Sequence, residues 1–267
     1  MYQAERQELI ARAVRDAGRV SVRELSEMFD ITTETARRDL QALEEGGLLR
    51  RVHGGAIATN RASLVERAVG ERLTQRGDEK ARIAARALAA IPSGFDGSIL
   101  LDAGTTTGAL LEPLAQHLAG GRAEIVTNAV AHAAALAGRD GIGLTVLGGH
   151  VRTMTGAAVG ASTVQAIDAL RPDIAFIGAN GLSADFGFST PDADEAAVKR
   201  AMVHAAHRAI ALVDVSKHGV ESLQRFAALG DVDVLVCDED PDPGLADALA
   251  RHDVDVWTGS ADEGGRA

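Results

Sequence analysis

The chain has 267 residues, of which 46% are apolar and only 3% aromatic, and its formal net charge is −11. That length favours two domains, with cores filled mainly by Ala, Leu, Val and Ile. The single cysteine, Cys237, excludes an internal disulfide and a cysteine-based zinc site. No apolar run approaches the ~18 residues of a membrane span, and "MYQAERQELI" lacks the apolar core of a signal peptide. A cytoplasmic protein with no membrane partner, metal or cofactor is the expectation.

The charge is unevenly placed. Residues 1–61 hold ten arginines and ten acids, whereas the rest hold 17 basic and 28 acidic side chains. A boundary near residue 61 therefore separates two parts with different partners. Lysine is used only at Lys80, Lys199 and Lys217.

In the first part, "AERQELIARAVRDAG" sets Leu9, Ile10, Ala13 and Val14 on one helical face, with Gly18 as the stop. A second helix follows in "SVRELSEMF", where Ser21 and Glu24 have capping-box spacing and Val22, Leu25 and Phe29 form a stripe. A third, "TETARRDLQALEEGG", turns Ala36, Leu40 and Leu43 inward. Three short helices with a tight link between the last two make a helix-turn-helix pattern, and "LLRRVHGGAI" adds a small wing around a Gly54–Gly55 turn. The outer face of the third helix offers Thr33, Glu34, Arg37, Arg38 and Gln41, residue types that read bases and anchor phosphates. Arg50, Arg51 and His53 lie on the wing. On spacing alone, a three-helix bundle that docks another protein stays open beside DNA binding.

Residues 59–79 read as a partly helical linker without a consistent apolar face. From 80 to 259, seven apolar strands alternate with Ala-rich helices, from "SILLDAG" through "VDVWTG", which implies a parallel sheet covered on both faces. Residues 260–267 form a disordered tail. In such sheets ligands bind at the carboxyl ends of strands. The polar clusters fall there: Asp102 and Gly104 to Thr107, Thr127–Asn128, Gly148–Gly149, Gly178 to Asn180, and Asp214 to Lys217. "DAGTTTG" offers backbone amides and three hydroxyls to a phosphate, or is simply a tight strand-to-helix turn capped by threonine. Lys217 adds a point charge if it reaches the same rim. Asp192, Asp194 and Glu195 can accept hydrogen bonds from sugar hydroxyls or cap the helix they open.

The stretch "RVSVRELSEMFDITTETARRDLQALEEGGLLRRVHGGAI" resembles the DNA-binding segment of the DeoR family of bacterial transcriptional repressors. The resemblance continues through "LDAGTTT", "VTN", "LGG.VR", "G.NGL", "EAAVKRAM" and "D.SK.G". It implies a winged helix-turn-helix domain over residues 1–58 and a sensor domain over 80–259, similar in fold to ribose-5-phosphate isomerase. By position, Thr105, Thr106, Thr107 and Lys217 match phosphate-holding motifs, and Asp102, Asn128, Asn180 and Glu195 match places near the sugar. Gly104, Gly149, Arg152 and Asp192 fall in or beside the same strings. "STPDADEAAVKRAM" looks closest to the fructose-operon repressor branch, which makes fructose 1-phosphate the leading effector. The implied partners are an operator duplex, a phosphorylated sugar and a second copy, in a homodimer or homotetramer. The rival is an isomerase with an added DNA-binding segment, which requires a carboxylate base. The isomerases carry "GADE" where this chain has "GANG", with Asn180 and Gly181. An amide is no base, so no enzyme activity is expected.

Overall fold

A computed structural model describes residues 3–46, 48–52, 54–58, 70 and 75–259. The chain divides after Ser63 into two compact units.

The first unit contains α1 (Gln3–Ala17), β1 (Arg19–Ser21), α2 (Val22–Phe29), α3 (Thr33–Glu45), β2 (Leu49–Val52) and β3 (Gly55–Ala58). Local chemistry sets the helix starts. Ser21 Oγ accepts from the Glu24 amide at 3.1 Å, and the Glu24 carboxylate accepts from the Ser21 amide at 2.7 Å, which completes the expected capping box. Thr32 caps α3 through the Thr35 amide. Ile10, Ala11, Val14, Leu25, Ala36, Leu40 and Leu43 pack into one core. The inward stripe of α1 is centred on Ile10 and Val14, so Ala11 is buried beside them. Leu9, expected on that face, is 40% exposed because it lies one helical step away.

Strand β1, three residues long, was not expected. It pairs antiparallel with β3, which also pairs with β2. Gly54 is the described turn residue of the wing, at φ +78, and Gly55 already belongs to β3. Gly55 is needed for approach: a Cβ there would lie 2.2 Å from the Val20 carbonyl oxygen.

The second unit begins with α4 (Gly77–Ala87), which starts within the span expected to be linker. The strands β4 (Asp96–Leu101), β5 (Arg122–Thr127), β6 (Ile142–Val146), β9 (Ile174–Gly178), β12 (Arg208–Leu212), β14 (Val234–Cys237) and β15 (Asp255–Thr258) form one sheet. Its order is β15-β14-β12-β9-β4-β5-β6, and every pairing is parallel. All seven strands read from the sequence are present. Alternate residues serve opposite cores: Leu100, Ala175, Ile177 and Ala211 on one face, Ile99, Leu101, Phe176 and Ile210 on the other. The first face is covered by α8 (Ala161–Asp168), α9 (Ala193–Ala205) and α10 (Pro243–Arg251). The second is covered by α4, α5 (Thr105–Ala109), α6 (Leu111–His117) and α7 (Val130–Leu136).

Two smaller pieces complete the unit: a hairpin of β7 (His150–Val151) and β8 (Ala158–Val159), and a sheet of β10 (Gly181–Ser183), β11 (Gly187–Thr190) and β13 (Gln224–Ala227). The expected tail, 260–267, lies outside the described residues. Cys237 is a core residue. Burial, with Asp238, Asp240 and Glu239 close by, pushes its thiol up to about 12, which leaves it inert as a nucleophile.

Replacing Gly55 with alanine should force β3 away from β1 and destabilise the first unit by about 1–3 kcal/mol. Faster amide exchange at Val20 and Ala56 would show it, and unchanged exchange would mean that the two strands part freely.

Candidate functional site

On the first unit, Thr33, Glu34, Arg37, Arg38 and Gln41 fall at i, i+1, i+4, i+5 and i+8 of α3, and all five are exposed. Opposite them, Ala36, Leu40 and Leu43 are buried. Glu34 sits between the arginines, 3.7 Å from Arg37 and 3.6 Å from Arg38. Gln41 donates to Glu45 at 3.1 Å. Arg50 and Arg51 are exposed on β2, and the Arg51 amide donates to Glu44 at 2.7 Å, which ties the wing strand to the end of α3. His53 lies outside the described residues.

The helix is held from behind by Asp39, whose carboxylate accepts from Arg6 at 2.6 Å and from Gln7 at 3.0 Å. Arg6 and Asp39 neutralise each other away from the outer face. The arrangement presents two arginines, a threonine and an amide on a rigid helix, as major-groove reading requires.

On the second unit, the connection from β4 runs towards β5 and β6, whereas β9 lies on the other side of β4. The carboxyl ends of β4 and β9 therefore flank the point where strand order reverses, the place where open α/β sheets hold ligands. Asp102 follows β4 there and is 2% exposed. Its Oδ2 accepts from the Gly178 amide at 3.1 Å and from Lys199 Nζ. Lys199, on α9 and 5% exposed, also donates to the Gly178 carbonyl at 2.9 Å. Gly104 and Gly178 keep the crevice narrow, since a Cβ on either would stand about van der Waals distance from Asp102 Oδ2, at 3.4 and 3.5 Å.

The three threonines divide by role. The Thr107 hydroxyl is fully buried and directed at the carbonyls of Asp102 and Gly104, both at 2.7 Å, so it shapes the turn. Thr105 and Thr106, each 8% exposed, make no side-chain hydrogen bond among the described residues. Next door, Thr127 Oγ1 donates to the Leu101 carbonyl, fixing the end of β5 against β4. Asn128 donates to the Ala158 carbonyl at 2.9 Å, while its buried Oδ1 accepts nothing from the described protein. A buried acceptor without a partner is costly unless a ligand or water supplies the donor.

A second polar cluster adjoins the first. Arg152, beyond β7, reaches Glu195 at 2.6 Å and Asp192 at 3.2 Å. Glu195 also accepts from Thr155 at 2.6 Å, and Thr190 donates to Asn180 at 3.0 Å. Asp192 is the N-cap of α9 through the Glu195 amide, so capping and a place at the rim are combined in one residue. Gly149 is explained by packing: a Cβ there would lie 2.1 Å from Thr163 Oγ1.

Lys217 follows β12, as expected at a strand end of the same sheet; β9 lies between β12 and β4, and the Lys217 charge acts on Asp214. Burial alone would raise the Asp214 pKa, but Lys217, the Ser216 hydrogen bonds and Arg76 together hold it below the ordinary carboxylate value. Arg76 reaches Asp214 at 3.4 Å and Asp238 at 3.1 Å, anchoring the start of α4 to the ends of β12 and β14.

Sequence reasoning missed Lys199, Thr155, Arg76 and His132. Lys199 carried a signal, being one of three lysines in a chain that otherwise uses arginine, and lying four residues after Glu195. Replacing Lys199 with methionine leaves Asp102 buried without its cation and should destabilise the unit by about 3–5 kcal/mol, read from urea unfolding. The double variant Lys199→Met, Asp102→Leu should recover most of the loss. An unaltered urea midpoint in the single variant would show that the pair holds nothing together.

Comparison with known proteins covers both units. Residues 6–62 match the DeoR-like helix-turn-helix domain, and residues 75–239 match the DeoR C-terminal sensor domain. The chain is 36% identical to an uncharacterized HTH-type transcriptional regulator, FruR, of Bacillus subtilis, over 89% of this chain and 92% of that one. It is 30% identical to the glycerol-3-phosphate regulon repressor of Escherichia coli, over 96% and 99%. Among solved structures, ribose 5-phosphate isomerase A of Methanocaldococcus jannaschii overlaps 56% of this chain and 57% of that one, at 18% identity and a TM-score of 0.41. With both its units matched in order, the chain belongs to the DeoR family of transcriptional regulators.

Proposed function

We propose that this regulator is a repressor of sugar-catabolic genes, released from its operator by a phosphorylated sugar. Fructose 1-phosphate is the first candidate. The observation that supports this reading most is the turn at the strand-order reversal. There Thr105 and Thr106 keep their hydroxyls out of the internal network, beside the unpartnered acceptor of Asn128. Phosphate takes donors and sugar hydroxyls offer them, so one ligand suits both. The Arg152–Glu195–Asp192 cluster supplies carboxylate acceptors along the same rim. Fructose as the sugar rests on the wording of residues 189–202 and its resemblance to one branch of the family. The relative named for the glycerol-3-phosphate regulon fits a phosphorylated effector.

Thr33, Glu34, Arg37, Arg38, Gln41, Arg50 and Arg51 would form the operator-reading surface, in a homodimer or homotetramer that places two wings on repeated half-sites. Effector bound to the conformer with poor operator geometry lowers DNA affinity, and a coupling of about 1–3 kcal/mol gives a 5- to 150-fold change. Lys217, at the carboxyl end of β12 and near Asp214, would add a positive charge for the phosphate. No observation favours the enzyme reading: Asn180 is an amide bound to Thr190, and Glu195 is held by Arg152 and Thr155.

Fluorescence anisotropy of the full chain on the DNA upstream of its own coding sequence, at fixed salt, tests this. Release by fructose 1-phosphate but not by free fructose is the expected outcome, with fructose 6-phosphate and ribose 5-phosphate as comparators. Tight binding unmoved by any of them would sink the sensor reading. Arg37→Ala should weaken operator binding by about 10- to 100-fold and spare effector affinity. Thr106→Val should spare operator binding and weaken the response to effector.

A further inference from the structure

His132 lies in the first turn of α7, is 6% exposed, and has no role in the chemistry described so far. Its ring faces α5 where that helix has no side chain: a Cβ on Gly108 would come within 3.1 Å of His132 Nε2. The imidazole also lies beside the Gly104 backbone and within range of the Asp102 charge. Its Nδ1 is buried and finds no hydrogen-bond partner among the described residues. An imidazole with an unpaired nitrogen thus stands against the turn that carries Thr105 and Thr106.

The charges around it are few. α5 presents only threonines, and α7 carries no other titratable group. Asp102 stands after β4, and Lys199 is bound to Asp102 and the Gly178 carbonyl. Arg152 is engaged by Asp192 and Glu195.

We infer that His132 is a binding residue for the effector's phosphate, taking a proton from solvent as the dianion seats on the 104–107 turn and holding it as an imidazolium. The inference rests on the sugar-phosphate reading of that turn. Without the anion the ring is kept neutral, since burial lowers its pKa more than Asp102 and the Gly104 carbonyl raise it. A doubly charged anion a few ångströms away reverses that balance. By linkage, each unit by which the anion raises the pKa tightens its binding about tenfold from the neutral to the protonated form. Release from DNA then becomes more sensitive to effector as pH falls through the bound-state pKa.

The test follows the ring carbon shifts of histidine-labelled full-length protein between about pH 5.5 and 8, with and without inorganic phosphate or fructose 1-phosphate. The His132→Gln spectrum identifies the signal, and His132→Asn serves if glutamine disturbs the packing. The expected result is a His132 pKa that rises by about one unit or more with the phosphate. In addition, His132→Gln should match wild type at pH 8 but bind fructose 1-phosphate about threefold more weakly near pH 6.5, and progressively more weakly at lower pH. An unchanged His132 pKa, while the Thr105 and Thr106 amides respond to phosphate, would overturn the inference and leave the sugar-phosphate reading standing. Amides that respond to no phosphorylated compound would overturn both.

Discussion

A carboxylate almost sealed from water must be neutralised where it stands, and Asp102 sets that condition at the centre of the sensor unit. Its oxygen is met by an ammonium from α9 and an amide from the end of β9. One bond network therefore joins β4, β9 and α9 at the point where strand order reverses. The same Lys199 also takes the Gly178 carbonyl, so the strand end has both its amide and its carbonyl satisfied without a further strand residue. Because the pair is closed on itself, the crevice beside it is left nearly neutral, and the turn at Gly104 can present uncharged donors without competing with a free cation. Fold and site depend on one interaction.

The second cluster extends this logic along α9. Asp192, Glu195 and Lys199 succeed one another along the first two turns of one helix and hold two places: the loop between β7 and β8, through Arg152 and Thr155, and the residue after β4, Asp102. α9 is thus both a core helix, with Met202 and Val198 buried, and the frame on which the rim is mounted. Asp102 thus joins the start of the 102–107 turn to α9, and Glu195 joins α9 to the loop between β7 and β8. Packed elements held by discrete polar bonds move between distinct arrangements rather than deforming smoothly, as a two-state response needs.

The sequence was most legible where local chemistry decides. Ser21–Glu24 and Thr32 marked helix starts because caps act within three residues. The seven parallel strands were visible as apolar runs because both of their faces are buried. The clustering of Asp102, Asn128 and Asn180 at strand ends followed from the fold class. What stayed hidden depends on distance in the chain. Lys199 and Asp102 are 97 residues apart, and no periodicity connects them. The β7–β8 pair and β1 are too short to carry a pattern, and exist because a neighbour completes their hydrogen bonds. Lys217 was assigned to the phosphate by its strand-end position and by the string "D.SK.G"; strand order, which a sequence does not display, sets β9 between β12 and β4.

A chain of net charge −11 that belongs to a family of helix-turn-helix regulators has to meet an anion locally. At physiological ionic strength, exposed charges more than about 8 Å apart are largely screened, so attraction depends on the charges near a contact rather than on the net charge. Within the first unit the balance is zero, but its acids are not all on the reading face: Asp39 is spent on Arg6 behind α3. Glu34 lies on that face, within 4 Å of both Arg37 and Arg38, and Glu45 lies beside Gln41. Such an acid weakens attraction to any phosphate backbone while leaving the guanidinium groups positioned for a base edge. Sequence-independent binding, which scales with the number of phosphates neutralised, is therefore suppressed more than specific reading. On the proposed reading, neutral amides and hydroxyls at the 104–107 turn would hold an anion without adding to long-range attraction, so the global charge and the local site would not conflict.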